Sequence, residues 1–424
     1  MERHFVNLLL DYIQAHSPLS PLQWGFTSGK SATSALLHAV DAWHKFLVEG
    51  TDICIVFFDY CKAFDSIPHR ALTVKLKAFG INEYIVNWLI SYLCDRNQYV
   101  SVNGSSSDLC SVTSGVPQGS ELGPILFIIY VNGIGNVSLT AGTTSLFADD
   151  IMLYRPIYCP TDYSLLQTDI DDICSWTSDN LLEFSVQKCK YMIISHKKQL
   201  QPPPNDLCVN GLSLERVHEY KYLGVWLTSG LTWSKHINTI CNKAKQKIGI
   251  LYRKYYQHAS TASMLQVYLA CIRPDLEYAA PVWSPHQQGL KDQIEGVQKL
   301  ALKICTKQWT TSYSTLLTLT RVPSLEKRRQ ILKLCYIFKI LNNIYTFPEP
   351  QPLQLQSNGG DHRTRSHNRK LVVPFARTNS YQFSFFCHTP RLWNELPSKF
   401  VQSTSAELFK ERLSIYLNNT HLTL

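Results

Sequence analysis

Ile53-Cys54-Ile55-Val56-Phe57-Phe58-Asp59-Tyr60-Cys61-Lys62-Ala63-Phe64-Asp65 is the stretch on which the fold turns. Its unbroken apolar run from Ile53 to Phe58 has the length and composition of a strand buried on both faces. The run ends on a carboxylate, Asp59. A second strand pattern, Thr144–Ala148, runs into Asp149-Asp150, and Ile151–Tyr154 returns from that turn. Carboxylates clustered at the ends of apolar strands repel one another unless a cation sits between them. Between the two lies Ser114-Gly115-Val116-Pro117-Gln118-Gly119-Ser120, a Gly/Pro loop opening a helix from about residue 120.

The flanking elements read as a mixture. Residues 1–50 predict a helix, a loop and a second helix with Ser31 as its N-cap, since Leu36, Leu37, Val40, Trp43 and Leu47 recur at helical spacing. Helical patterns follow at about 68–79, 83–94 and 162–179, with a strand at 190–195. Asn103-Gly104 and Asn210-Gly211 are hairpin turns, the second leading into Tyr220–Leu227. From Trp233 onward the pattern is helical, and 351–366 reads as a polar, flexible loop. The fold class is therefore α+β.

The chain has 424 residues, 45% of them hydrophobic and 17% charged, a globular composition long enough for two or three cores. Its net charge of +9 is unevenly spread. Residues 1–228 carry 15 basic against 22 acidic side chains; residues 229–424 carry 26 against 10. Such asymmetry suits a polyanion on one half and a cation site on the other, although uneven charge on an ordinary soluble protein reads equally well. The 13 cysteines form no C-x-x-C pair and no zinc spacing. They read as reduced, mostly buried thiols of a cytoplasmic or nuclear protein. No signal peptide and no membrane span are legible.

Taken in order, the Asp59, Gly115–Gly119 and Asp149-Asp150 segments describe a phosphoryl-transfer site. Such chemistry at a 3′-hydroxyl needs two Mg²⁺ ions about 3.5–4 Å apart, held by hard carboxylate oxygens. The ordered set resembles the palm of reverse transcriptases, and among them those of non-LTR (LINE-type) retrotransposons. Asp59 with Lys62-Ala63-Phe64-Asp65 is similar to motif A. Gly115–Gly119 with Leu122-Gly123-Pro124 is similar to motif B, and Phe147-Ala148-Asp149-Asp150 to motif C. Lys188 stands where the family has its motif D lysine, and Tyr222-Leu223-Gly224 where it has its primer grip.

The resemblance implies a right-hand polymerase palm with partial fingers over 1–228, a basic helical thumb over 229–310 and a C-terminal region over 311–424. It implies RNA-directed DNA polymerisation with a DNA primer or target DNA, an RNA template, dNTPs and two Mg²⁺ ions, or Mn²⁺ in their place. Asp59, Asp149 and Asp150 would be catalytic metal ligands, and Lys188 would protonate the leaving pyrophosphate unless it is a plain surface lysine. Phe64 would exclude a 2′-hydroxyl, with a core phenylalanine as the bland alternative, while Gln118 and Gly119 would pack against nucleotide and template. Lys235, Lys243, Lys245, Lys247, Arg253 and Lys254 would meet nucleic-acid phosphates, a solvated helix face being the other reading.

Further on, Arg321–Arg329, Thr364-Arg365-Ser366 and Arg391-Leu392-Trp393-Asn394-Glu395-Leu396-Pro397 resemble the tail of Jockey/CR1-like elements. Two departures stand out. Thr27 in Gln23-Trp24-Gly25-Phe26-Thr27 replaces the family's arginine, and the fingers strands and endonuclease would precede residue 1. An N-terminally truncated remnant that only binds nucleic acid is thus the second reading, and an RNA-dependent RNA polymerase, disfavoured by Phe64, the third. Gly25–Ser31 mimics a phosphate-binding loop, but has three residues between its glycines where four are needed.

Overall fold

The computed structural model describes residues 2–197, 202–356 and 369–419. It divides into two compact units, one of Met1–Ala35 with Thr51–His218, the other of Leu36–Gly50 with Glu219–Leu424. Helices and strands are mixed throughout, as the α+β reading expects.

In the first unit the Asp52–Phe58 strand is buried along its whole length and lies at the centre of a five-stranded sheet. Asp150–Ile157 pairs antiparallel on one side of it and Lys190–Ile194 on the other. Thr143–Phe147 extends the sheet beyond Asp150–Ile157, and Glu215–Arg216 adds a short parallel strand beside Lys190–Ile194. A strand covered on both faces has no polar side, which is why its sequence reads as a continuous apolar run. Cys54, Val56 and Phe58 share a core with Leu126 and Ile129 of helix Leu122–Val131 and with Ile170 and Ile173 of helix Thr161–Asp179. Every residue of Leu122–Val131 except Pro124 is buried, so this helix shows no amphipathic stripe.

Helix Ala32–Val48 opens with a reciprocal cap, the Ser31 hydroxyl accepting the Ser34 amide at 3.1 Å and the Ser34 hydroxyl accepting the Ser31 amide at 2.7 Å. Both Asn-Gly turns take positive φ at each position, Asn103 and Gly104 at 50° and 85°, Asn210 and Gly211 at 51° and 74°. All thirteen cysteines are free, and Cys54, Cys174, Cys189, Cys241, Cys305, Cys335 and Cys387 are buried. No helix of the described residues is long and apolar enough to cross a membrane.

In the second unit, Glu219–Tyr222 and Val225–Thr228 form a hairpin turning at Leu223 and Gly224 with φ of 46° and 82°. The Tyr278 hydroxyl donates to the Leu223 carbonyl at 3.0 Å and pins that turn. Helix Ser234–Tyr255 follows, burying Ile237, Cys241, Ala244, Ile248 and Leu251 at helical spacing. The Arg391–Pro397 segment acts as a staple. Trp393 is fully buried and its indole donates to the Arg369 carbonyl at 2.9 Å, while the Asn394 amide grips both backbone groups of Leu371. Thr364-Arg365-Ser366, and most of the loop read at 351–366, lie outside the described residues.

A buried ion network ties the sheet to helix Thr161–Asp179. Arg155 reaches Asp162 and Asp169, each at 3.3 Å, and Asp169 also accepts the Thr140 and Gly142 amides. Burial pushes the Asp162 carboxyl up, but the Cys159 and Tyr158 amides and Arg155 outweigh it and hold the group below the usual carboxylate range. A carboxylate with a depressed folded pKa stabilises fully above its unfolded value and loses that contribution as the pH falls through the folded one. Asp169→Ala should cost about 3–5 kcal/mol by leaving buried Arg155 with Asp162 alone and the Thr140 and Gly142 amides without their acceptor, read by urea denaturation at pH 7. Asp162→Asn should cost less, and its penalty should shrink as the same titration is repeated below about pH 4.

Candidate active site

The pairing register brings the carboxylates together. Phe58 faces Ile151 and Phe57 faces Lys190. Asp59 directly follows the last paired residue of the central strand, Asp150 begins the strand beside it, and Lys188 lies in the turn just before Lys190–Ile194, so all three come to the same end of the sheet. Asp59 is fixed from behind: its carbonyl accepts the Ser185 amide at 2.8 Å and its amide donates to Cys189 Sγ at 3.4 Å. Lys188 Nζ lies 3.1 Å from Asp59 Oδ1, with the lysine largely in solvent.

The Asp149-Asp150 turn is tight and strained. Phe147 pairs with Asp150, so only Ala148 and Asp149 make the connection, and Ala148 takes a φ of 55°. A left-handed alanine costs about 1–2 kcal/mol. Its support comes from a segment the sequence marked only by resemblance. Gln23 is fully buried, and its side-chain oxygen accepts the amides of Gly25 at 2.9 Å and Ala148 at 3.2 Å. Leu22 and Trp24 exchange backbone hydrogen bonds with Leu146. A Cβ on Gly25 would stand 2.7 Å from the Ala148 nitrogen, so glycine is required for this approach. Sequence reasoning gave Gln23 no role; the signal it offered was a polar residue amid Leu22, Trp24 and a glycine.

The neighbouring phosphate-loop mimic is otherwise engaged. Lys30 Nζ donates to the Pro21 and Gln23 carbonyls at 2.5 and 2.9 Å, lies over the Trp24 ring, and is pulled down to about 8 by burial. Thr27, where the family has arginine, bonds the Gly25 carbonyl at 3.1 Å.

The Gly115–Gly119 loop is clamped onto the segment after Asp59. Gly115 and Val116 amides donate to the carbonyls of Ile67 and Phe64, and Ser114 Oγ to that of Asp65. Gly115 has a φ of 87°, and a Cβ there would fall 2.6 Å from Asp65 Cα. Gln118 Nε2 donates to Asp65 Oδ1 at 2.8 Å. Phe64 is half-buried and stacks on Phe127 with ring centroids 4.7 Å apart.

Asp59, Phe64, Gln118, Gly119, Asp149 and Lys188 consequently line one cleft of about 430 Å³. Asp150 is not among its lining residues. Burial raises the Asp149 carboxyl, and the Asp59 charge adds to the rise. Asp150 is pushed up to about 6 by crowding around its carboxyl and then by the charges of Asp149 and Asp59. Lys188 is pushed up by its hydrogen bond to Asp59.

A hard divalent cation fits this donor set. The carboxyls are all-oxygen donors, two of them are pushed above their ordinary range, and the Lys188 ammonium stands as a cation at Asp59. Among the described residues no three His, Cys, Asp or Glu side chains meet closely enough to hold an ion by themselves. Mg²⁺ bound through one or two carboxylates takes its other ligands from water and substrate phosphates, so an open site is the expected form.

The remaining expected residues lie in the second unit. Tyr222, Leu223 and Gly224 form the pinned hairpin turn. Of the basic residues on helix Ser234–Tyr255, Lys235 is paired with Glu219 at 2.7 Å, and Lys243 and Lys247 with Asp275 at 3.1 and 2.5 Å. Lys245, Arg253 and Lys254 are exposed. Residues 229–270 contain no acidic side chain, so these carboxylates come from outside the stretch, which linear charge counting could not reveal.

The chain belongs to the reverse transcriptase family: the family described as reverse transcriptase (RNA-dependent DNA polymerase) matches residues 2–227. It is similar to the probable RNA-directed DNA polymerase from transposon BS of Drosophila melanogaster, 28% identical over 72% of this chain and 34% of that protein. It is also similar to the RNA-directed DNA polymerase from mobile element jockey of Drosophila funebris, 25% identical over 78% of this chain and 37% of that protein. The chain spans about a third of the length of these curated relatives. Among solved structures, apo telomerase from Candida tropicalis overlaps with 81% of this chain and 54% of that one, at a TM-score of 0.43 and 12% identity.

Gly115→Ala should lower stability by about 1–3 kcal/mol, because the added methyl meets the Asp65 backbone at a positive φ. Thermal melting of the variant beside Gly211→Ala, whose Cβ would meet nothing within 4 Å, separates the collision from the φ penalty alone.

Proposed function

We propose that this chain is the polymerase portion of a non-LTR retrotransposon protein, an RNA-directed DNA polymerase that extends a DNA 3′-end on an RNA template. One observation carries the reading: six side chains or glycines from four separate segments, each expected from the sequence, line a single cleft. Mg²⁺, when bound, would neutralise the triphosphate and activate the 3′-hydroxyl, with Mn²⁺ as its substitute. Asp59 and Asp149 would hold it, and Asp150 adds negative charge beside them.

The other residues bind, orient or move a proton. Phe64, backed by Phe127, offers a ring face to the sugar and excludes a 2′-hydroxyl, selecting dNTPs. Gln118, tethered to Asp65, and Gly119 form the wall for nucleotide and template. Lys188 is kept protonated beside Asp59, the state required of a group that gives its proton to departing pyrophosphate. In the second unit, Tyr222, Leu223 and Gly224 would grip the primer. Lys245, Arg253 and Lys254 would contact phosphates without reading sequence, and Lys235, Lys243 and Lys247 only on leaving their carboxylates. The division into palm over 1–228, thumb over 229–310 and C-terminal region over 311–424 belongs to this proposal.

Primer extension on an RNA template with dNTPs and Mg²⁺ tests it. Asp149→Asn should reduce extension by about a thousandfold or more while primer–template binding persists. Undiminished extension by that variant would sink the metal assignment, and a wild-type chain that binds but never extends would sink the polymerase reading. Phe64→Val should raise ribonucleotide incorporation by roughly 10–200-fold, the range a steric pocket change delivers, measured by competing rNTP against dNTP. Arg253→Ala should reduce the slope of log binding constant against log salt by about 1. Lys243→Ala, already engaged with Asp275, should change it less.

A further inference from the structure

Helix Leu325–Leu341 starts inside the Arg321–Arg329 segment, which the polymerase reading leaves without chemistry. Glu326, Arg329, Gln330 and Lys333 recur at spacings of three and four and share one face of it. That face walls a cavity of about 80 Å³ in the second unit, closed on other sides by Lys291 and His388 among others.

The cavity is cationic and short of acceptors. Arg329 and Lys333 are 2% and 5% exposed. Both terminal nitrogens of Arg329, Nη1 and Nη2, are buried and have no hydrogen-bond partner among the described residues, and the same holds for His388 Nδ1. Glu326 is the only acid lining the cavity, and Lys291 holds it at 2.6 Å. Glu295 and Glu277 lie near enough to favour the Arg329 charge, but their oxygens are engaged elsewhere. Glu295 accepts from Tyr313 and from the amides of Leu325 and Glu326, and Glu277 is paired with Arg328. Burial pulls Lys333 down to about 7, and the charges of Arg329 and Lys291 press the same way.

A buried guanidinium with two idle N–H₂ groups beside a buried ammonium lacks an anion, not another cation. We propose that this cavity is a binding site for a phosphate-class oxyanion, gripped by the Arg329 fork and the Lys333 ammonium. The planar guanidinium matches two oxygens of such a group at once. The cavity has room for a few water-sized groups, enough for one phosphate and too little for a nucleoside. The anion can come free in solution or as the terminal phosphate of a nucleic-acid strand.

Thermal melting of the full chain in inorganic phosphate, against sodium chloride of equal ionic strength, tests the site. The wild type should gain about 5 °C at saturating phosphate. Lys333→Met, which keeps the stem and removes the charge, should melt no lower than wild type in chloride and lose most of the phosphate gain. Arg329→Gln should lose it as well, and if that variant does not fold, Lys333→Met decides alone. A melting point that follows ionic strength only, or a full phosphate response in Lys333→Met, overturns the proposal. A short oligonucleotide with and without a 5′-phosphate then separates the sources. A Lys333-dependent gain from the phosphorylated form supports a strand end as ligand, and a gain from inorganic phosphate alone supports the free ion.

Discussion

Antiparallel pairing of Phe58 with Ile151, and of Phe57 with Lys190, is the constraint from which the candidate site follows. Both contacts lie inside an apolar sheet, where a strand cannot shift by one residue without turning its whole side-chain set over. Locked in this way, the central strand delivers Asp59 to the end of the sheet where Asp150 begins its strand and where Lys188 precedes another. The carboxylates are held together against their repulsion by hydrophobic burial a few residues away, not by any attraction among themselves. Burial pushes the Asp149 and Asp150 carboxyls up, and the neighbouring carboxylate charges push the same way. A cation relieves the repulsion, and Lys188 already does so in part.

Two backbone details complete the assembly. Ala148 is bent into a conformation that an alanine disfavours, and the buried Gln23 amide together with the Leu22–Leu146 and Trp24–Leu146 bonds keeps it there. Gly115 lets the Gln118 loop approach the backbone of Asp65 more closely than any side chain would permit. In both cases strain sits beside the cleft while the stabilisation comes from the sheet and its core, the arrangement expected where geometry serves chemistry.

Much of this was legible in the residues. The apolar run before Asp59, the Asp-Asp turn and the Asn-Gly hairpins declare themselves through short-range rules, because burial on both faces and positive φ leave marks on composition. What local rules could not give was long-range. Gln23 looks like an ordinary loop residue until its distance to Ala148 is known. The acid-free stretch after Thr228 reads as a bare basic face, yet Asp275 and Glu219 fold back onto Lys243, Lys247 and Lys235. The hydrophobic helix Leu122–Val131 has no stripe to read, since the core surrounds it. Arg329 and Lys333 look like surface charges in a basic segment, and only the packing of their helix reveals them as interior.

The pairing that carries Asp59 and Asp150 to one end of the sheet also sets where this protein can change length. The chain between them leaves the sheet at Tyr60 and returns at Thr143, passing through helices and one exposed hairpin of two short nested ladders. Residues can be gained or lost at the hairpin tip near Asn103 without parting the carboxylates, because the sheet and not the connection fixes their separation. A single codon inserted within 52–58 or 150–157 would instead turn the remainder of the strand inside out. Drift in such a lineage should therefore accumulate as insertions around the sheet, while the strands themselves accept substitutions only.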